Sequence, residues 1–307
     1  MHIPDGFLDA KTILATSALA AGGVGAAVRK LRLDSSPRQV PIIGLSAAFI
    51  FAAQMLNFPV AGGTSGHLIG AVLALVLLGP WAATVAISSV LILQCFIFAD
   101  GGVTSLGANM FNMAVLAPAV GYAVYTPLRR FSGGTRGMLF AAAFAAWVST
   151  VAASIACAGE LAASGTVAWK VAFPAMAGVH MLIGLGEAAI TALVLSAVTA
   201  SRPELMRTDA PATEYRAVAF QGVLVALGLA IFVAPFACAW PDGLEKVAAR
   251  LGFGSAAAAP LLRAPLPDYA VPGLHRVGLS TAAAGAVGTM AAFTLSYFLA
   301  RTLARGR

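Results

Sequence analysis

Long apolar stretches separated by short polar breaks run through most of this chain. A membrane-crossing helix needs about 20 mostly apolar residues, so stretches of this kind predict transmembrane helices. The pattern predicts nine helices, at residues 12–30, 41–57, 67–79, 81–98, 108–126, 138–158, 173–200, 218–238 and 277–300. The third is too short for a full crossing if it starts at His67, so we expect it to be tilted or to follow a loop that enters the membrane. The predicted fold is an all-α polytopic membrane protein with about nine transmembrane helices.

The composition supports this prediction and excludes other classes. Residues of the AVILMFWYC group make up 60% of the 307 residues, and Asp, Glu, Lys and Arg only 10%. Soluble domains carry about 25% charged residues, so this chain cannot coat a soluble surface of its size. A soluble enzyme or a nucleic-acid-binding module is therefore excluded. We interpret the net charge of +7 as basic residues on the cytoplasmic side rather than as a nucleic-acid site.

The distribution of the basic residues predicts the orientation in the membrane. With Met1 outside, thirteen of the nineteen Lys and Arg residues fall on the inner side, and four of the other six lie in or beside one long outer loop, 239–276. Short inner loops are enriched in these residues, so we expect the N-terminus outside and the C-terminus in the cytoplasm of a prokaryotic inner membrane. A polar segment at 201–217 predicts a cytoplasmic linker between a seven-helix domain, 1–200, and a two-helix unit, 218–307.

The first residues could form a metal chelate. The segment before the first apolar run carries Asp5 and Asp9 against only Lys11, so it lacks the basic start of a signal peptide and we expect it to be retained. With histidine at position two, the Met1 amine, the His2 amide nitrogen and the His2 imidazole can close two fused chelate rings. Square-planar nitrogen sites favour Ni²⁺ or Cu²⁺. Three nitrogens leave one corner of such a square for another donor.

His67 is the candidate for the fourth corner. It ends a glycine-rich loop that the predicted topology places on the same side of the membrane as Met1. Pro4 and the following Asp5-Gly6 favour a turn that could bring the N-terminus back into the mouth of the bundle.

Two other functions remain open at this point. Gly63-Thr64-Ser65-Gly66 fits the short G-x-S-G motif of intramembrane serine proteases, with His180 as the candidate base of a dyad. A channel or secondary transporter acting alone is the other alternative. No G-x-x-x-x-G-K-[ST] motif is present, so we expect no ATP site in this chain.

Four ordered segments resemble one family of transport proteins. They are MHIPDGFL at 1–8, LNFPVAGGTSGHLIG at 56–70, FADGGVTSLGANMFNMA at 98–114 and GVHMLIGLGEA at 178–188. Over residues 1–200 the chain resembles the cobalt/nickel substrate-binding subunits (CbiM/NikM) of energy-coupling-factor transporters. The segment WPDGLE at 240–245 resembles the PDGLE module of the accessory N component, here fused to the first unit.

The resemblance implies a non-catalytic subunit that binds the transported metal through the Met1 amine, the His2 amide and imidazole, and the His67 imidazole. It implies Ni²⁺ as the favoured ion and Co²⁺ as the next. It also implies a transmembrane coupling subunit and two cytosolic ATPase subunits as partners, within membrane lipid and without nucleic acid. Further candidates around the site or in gating are Asp5, Asn57, Thr64, Ser65, Asn109, His180 and Glu187.

Overall fold

The computed structural model describes residues 1–34, 39–206 and 212–304, and nearly all of its regular structure is helical. The helices are α1 (Ala10–Asp34), α2 (Val40–Gln54), α3 (Ala71–Leu78), α4 (Pro80–Leu93), α5 (Leu106–Asn109), α6 (Ala117–Phe131), α7 (Gly134–Ala163), α8 (Trp169–Ser201), α9 (Ala212–Gly228), α10 (Gly243–Leu251) and α11 (Val277–Ala304). Two strands, β1 (Phe58–Val60) and β2 (Thr64–Gly66), form a small antiparallel hairpin that pairs Pro59 with Ser65. Wider π-helical turns extend α4 through Gln94–Phe98 and α9 through Leu229–Val233, and another, Met110–Leu116, joins α5 to α6.

Seven helical runs in the described residues are long and apolar enough to cross a membrane. They are α1, α4 with its extension, the continuous run from α5 to α6, α7, α8, α9 with its extension, and α11. The prediction of an all-α polytopic membrane protein is confirmed, but the count of nine crossings is not. Helix α2 has 15 residues, about 23 Å of helix against a hydrocarbon core of about 30 Å, and α3 has only eight.

The hairpin and its flanking turns separate the two short helices, since α2 ends before them and α3 begins after them. The predicted helix 41–57 stops at Gln54 because the following residues enter β1, and the predicted helix 67–79 starts only at Ala71. Gly70 and Gly79 have φ angles of 77° and 81°, in the left-handed half of backbone space that favours glycine. These two glycines therefore limit α3 to two turns.

The two-helix C-terminal unit packs directly on the first unit. Helices α9 and α11 both contact α2, and Ala48 and Ala52 of α2 form a buried cluster with Ala226 and Ala230 of the α9 run. A Cβ atom on Gly44 would lie 3.1 Å from the carbonyl oxygen of Phe293, so a small residue is needed at this crossing. Close helix approach through small residues is common in membrane bundles.

The segment 239–276 contains a helix that the hydrophobic pattern did not predict. Helix α10 buries Leu244, Val247 and Ala248, which share one face at helical spacing, against α8 and β2. Asp242 caps its first turn, and Gly252, with a φ of 80°, ends it. This helix lies beside the hairpin that leads to His67.

Candidate metal centre

The N-terminal segment folds back into the bundle and is held there by α5 and by the loop before it. Asn109 brackets Ile3, since its Oδ1 accepts from the Ile3 amide at 2.8 Å and its Nδ2 donates to the Ile3 carbonyl at 3.1 Å. The carboxylate of Asp5 accepts from both the amide and the hydroxyl of Thr104, at 2.8 and 2.6 Å. The Ile3 side chain is fully buried, and Met1 is 95% buried. The turn expected at the N-terminus therefore places the first residues inside the protein.

His67 presents one ring nitrogen to the Met1 amine. Its Nδ1 lies 3.1 Å from the carbonyl oxygen of Leu68, so Nδ1 carries the proton and Nε2 offers a lone pair. The Met1 nitrogen lies 2.6 Å from this Nε2. Burial, together with the nearby Met1 ammonium, lowers the pKa of His67 to about 3 and keeps the ring neutral. A neutral histidine whose second nitrogen donates to a backbone carbonyl is the usual form of a metal ligand.

Glu187 shapes the backbone that follows His67. Its two carboxylate oxygens accept from the amides of Ile69, at 2.6 Å, and Gly70, at 2.9 Å. Glu187 is on α8 and is 99% buried. Through these two hydrogen bonds Glu187 holds the loop that carries His67, and its candidate role in gating stays a prediction.

The ring of His2 packs against the ring of His67. The two rings stack with centroids 5.2 Å apart and planes 21° from parallel. Nδ1 of His2 is 3.2 Å from Oδ1 of Asp100, and Nε2 is 3.3 Å from Oε1 of Gln94. Burial lowers the pKa of His2, although the Asp100 carboxylate opposes this shift. Within the described part of the chain, the His2 amide makes no hydrogen bond.

The Met1–His67 distance fits two neighbouring corners of a square-planar site. An imidazole nitrogen lies about 2.0–2.1 Å from a metal such as Zn²⁺, so adjacent donors in a square lie about 2.8–3.0 Å apart. The observed 2.6 Å is close to this edge. The six-membered ring of the predicted chelate would use Nδ1 of His2, so a bound metal would replace the contact of Nδ1 with Asp100.

The sequence reasoning missed a residue of the C-terminal unit that contacts the Met1 amine. Oδ2 of Asp242 is 2.8 Å from the Met1 nitrogen. Although burial by itself opposes ionisation of this carboxyl, the Met1 ammonium holds the pKa of Asp242 well below its usual range. A signal was present in the sequence: Asp242 and Glu245 have the spacing of a helix-capping box, which predicts a helix start at that point.

The remaining candidates lie around this centre in other roles. The Ser65 amide and hydroxyl donate to the carbonyls of Pro241 and Trp240, at 2.8 and 2.7 Å, and the Asn57 carbonyl accepts from the Cys238 amide at 2.8 Å. Thr64 is buried in β2. Nδ1 of His180 pairs with the Met176 carbonyl at 2.8 Å.

The Ser–His dyad of the protease alternative is not formed, because the Ser65 hydroxyl proton goes to a backbone carbonyl and not to His180. Among the described residues, there is also no group of three or more His, Cys, Asp and Glu side chains that could hold a metal ion.

A cavity of about 610 Å³ opens beside His2 and His67. The acidic residues in its lining are Asp100, Asp242, Glu245 and Asp268. An acidic cavity raises the local concentration of cations next to the centre.

This chain is similar to known proteins in both sequence and fold. The family described as "Cobalt uptake substrate-specific transmembrane region" (CbiM) matches residues 2–205, and the PDGLE domain matches residues 216–305. The putative fused nickel transport protein NikMN of Archaeoglobus fulgidus is 38% identical over 98% of both chains. The fused nickel transport protein NikMN of Rhodobacter capsulatus is 36% identical over 88% of both chains.

A cobalt transport protein and a solved crystal structure are also similar to this chain. The cobalt transport protein CbiM of Kyrpidia tusciae is 30% identical over 67% of this chain and 86% of its own length. The crystal structure of a truncated transition-metal transporter matches with a TM-score of 0.59 and 36% identity, covering 65% of this chain and 99% of that one. From this agreement in sequence and fold, we conclude that the chain belongs to the CbiM family and carries a PDGLE domain at its C-terminal end.

Proposed function

We propose that this protein takes up divalent transition metal as the substrate-binding subunit of an ATP-driven energy-coupling-factor transporter, with Ni²⁺ as the favoured ion and Co²⁺ as the next. One observation carries the proposal: the Met1 amine lies 2.6 Å from Nε2 of His67, and the His2 ring stacks on the same histidine. Membership of the CbiM family and similarity to nickel and cobalt transport proteins support it.

The proposed ligands are the Met1 amine, the His2 amide nitrogen and imidazole, and the His67 imidazole. A deprotonated amide and three neutral nitrogens reduce the charge of a divalent ion to +1. Four nitrogen donors in a plane suit Ni²⁺ better than Co²⁺, which is why nickel is favoured.

The proposed energy source lies in partner subunits. The sequence has no P-loop motif, so ATP hydrolysis would come from two cytosolic ATPases coupled through a second membrane subunit. In the proposed orientation the N-terminus faces outward and the C-terminus faces the cytoplasm, with 201–217 as the inner linker between the two units. The ion is captured at the outer face and released inward when the partners turn over ATP.

The binding test compares the intact N-terminus with a blocked one. We expect near-stoichiometric nickel in the purified full chain that begins at Met1, with that start verified by intact mass. We expect little nickel in a variant with two residues added before Met1, or in His67→Ala. His275→Ala is the matched control, because His275 is exposed and lies outside the centre. Equal nickel content in all four proteins would reject the proposed ligand set.

A second test separates the ATP-driven subunit from a channel or secondary transporter. Cells would express this chain alone or together with a coupling subunit and two ATPases, and radioactive nickel uptake would be followed. We expect sustained uptake only with active ATPases. Equal uptake by the chain alone would favour the channel or secondary transporter.

A further inference from the structure

We propose that the outer segment of the C-terminal unit supplies two positioning residues for the metal, Asp242 for the Met1 amine and Tyr269 for the His2 ring. This inference rests on the proposed function and adds residues that do not themselves bind the ion. The two residues approach the centre from opposite ends of the segment 239–276.

The helix cap of α10 fixes the direction of the Asp242 carboxylate. Oδ1 accepts from the Glu245 amide at 2.8 Å, and the Glu245 carboxylate accepts from the Asp242 amide at 2.9 Å. With one oxygen used in the cap, the other points at Met1 and lies 2.8 Å from its nitrogen. The cap therefore holds a negative charge beside the proposed ligand.

The hairpin next to His67 sets the position of Asp242. The Ser65 hydroxyl and amide donate to the carbonyls of Trp240 and Pro241, the two residues before Asp242. Ser65 is fully buried and lies two positions before His67. Ser65 therefore joins the backbone just before Asp242 to the strand that leads to His67. The Met1 amine lies between Asp242 and His67 and contacts both.

The contact of Asp242 with Met1 is compatible with a bound metal. A coordinated amine uses its lone pair for the ion and keeps two N–H groups, one of which can still donate to Asp242. The complex of a divalent ion with a deprotonated amide carries a charge of +1, which the Asp242 carboxylate would balance. Partners of this kind typically change metal affinity by about 10–100-fold.

Tyr269 acts on the other chelating residue. Its hydroxyl donates to Oδ2 of Asp100 at 2.5 Å and accepts from Nε2 of Gln94 at 3.1 Å. Asp100 and Gln94 are the two residues that flank the His2 ring. Tyr269 therefore holds both neighbours of His2 with one hydroxyl group, and the Gln94 contact at Nε2 can remain when Nδ1 turns from Asp100 to the metal.

The backbone around Tyr269 is strained in a way that matches this role. Asp268 and Tyr269 have φ angles of 52° and 55°, in the left-handed region that residues other than glycine seldom adopt. Such strain persists where surrounding contacts determine the conformation. Here the Tyr269 ring stacks on Phe98 with centroids 4.7 Å apart, and its hydroxyl is held by Asp100 and Gln94.

Asp242→Asn is the decisive variant, because asparagine caps a helix about as well as aspartate but carries no charge. Asp268→Asn is the matched control: it removes a carboxylate from the same cavity. The hydrogen bonds and ion pairs that Met1 and His2 make with described side chains do not involve Asp268. The experiment titrates Ni²⁺ into the full chain in detergent, with Tyr269→Phe as a second variant. Visible absorption at saturation reports the ligand set.

We expect about 10–100-fold weaker nickel binding in Asp242→Asn and weaker binding in Tyr269→Phe, with Asp268→Asn within twofold of the parent. The absorption band at saturation should match the parent, and the Tm of the metal-free protein should be unchanged. Affinity within twofold of the parent in Asp242→Asn and Tyr269→Phe would overturn the proposal. So would an altered band in Asp242→Asn, because Asp242 would then be a ligand.

The His67→Ala variant separates failure of this inference from failure of the proposed function. If His67→Ala loses nickel while Asp242→Asn and Tyr269→Phe bind like the parent, the function stands and the positioning role is wrong. If His67→Ala binds like the parent, the proposed ligand set is wrong, and the positioning roles that rest on it fail as well.

Discussion

Glu187 of α8 and Gly70, three residues after His67, are joined by a buried hydrogen bond of 2.9 Å, and the same carboxylate also accepts from the Ile69 amide. One side chain on a long membrane helix thus fixes the loop that delivers a proposed metal ligand. Gly70 completes this arrangement, because its φ of 77° lets the chain turn from the hairpin into α3.

Replacing Glu187 should loosen the loop that carries His67, although His67 itself is unchanged. Glu187→Gln keeps the size of the side chain but offers only one acceptor oxygen, so one buried amide is left unpaired. Leaving a buried donor unpaired costs about 1–3 kcal/mol, and we expect roughly tenfold weaker nickel binding. Nickel titration and thermal unfolding of the purified protein measure the two effects.

Thr191→Val is the control for Glu187→Gln. Thr191 lies one turn further along α8, is buried, and has no hydrogen-bond partner for its hydroxyl among the described residues. We expect this change to leave nickel affinity unaltered. Equal losses in the two variants would mean that α8 affects the site through its general stability and not through the loop.

A methyl group at Gly102 should displace the N-terminus. A Cβ atom there would lie 2.3 Å from the Asp5 amide nitrogen, which is backbone and cannot rotate away. We expect Gly102→Ala to fold but to lose most of its nickel, because the first five residues cannot seat against the loop. Metal content and helix content by circular dichroism test this.

Gly178→Ala is the matched change, since a Cβ atom at Gly178 would meet nothing within 4 Å. It should bind nickel like the parent. Full nickel binding by Gly102→Ala would show that the N-terminal segment reaches its site by another route.

Asn109 should control the order of the N-terminal segment. Asn109→Asp keeps the acceptor for the Ile3 amide but places a carboxylate oxygen against the Ile3 carbonyl, where the parent has a donor. We expect faster hydrogen exchange in residues 1–8 and weaker nickel binding. Asn112→Ala is the comparison, because Asn112 pairs with Glu160 and not with the N-terminal segment. Unchanged exchange in Asn109→Asp would contradict the role of this residue.

Nickel binding should release two protons and weaken as the pH falls. The free protein carries a proton on the His2 amide and an ammonium at Met1, while the proposed complex contains neither. The bound state thus holds fewer protons, so acid favours the free state. With a pKa of about 3, His67 is already neutral between pH 5 and 8 and adds no further proton.

Calorimetry in two buffers with different ionisation enthalpies counts the released protons. The proposal expects a total close to two near neutral pH. Release of no protons would contradict ligation by the His2 amide, because a metal–amide bond requires the loss of that proton.

The sequence by itself determined the class of the protein and was enough to propose a chelate at its N-terminus. Long apolar stretches predict helices because a segment in the hydrocarbon core must satisfy its own backbone hydrogen bonds, and the structure contains helices in all nine predicted stretches. The proposed chelate of Met1 and His2 also follows from the sequence, since its rings would close within two consecutive residues. The orientation of the termini remains a prediction from the distribution of basic residues.

Only the tertiary structure decided which residues surround Met1 and His2. Asp242 lies 241 residues from Met1, and Tyr269 lies 175 residues from Gln94. No local periodicity encodes contacts between such distant residues, because they depend on how α9 and α11 pack on α2 and where α10 then falls. The shortening of α2 and α3 has a similar origin. The backbone between them pairs as a hairpin beside α10 and is held by Glu187, so residues 55–57 and 67–70, which were predicted as helix, do not continue α2 and α3.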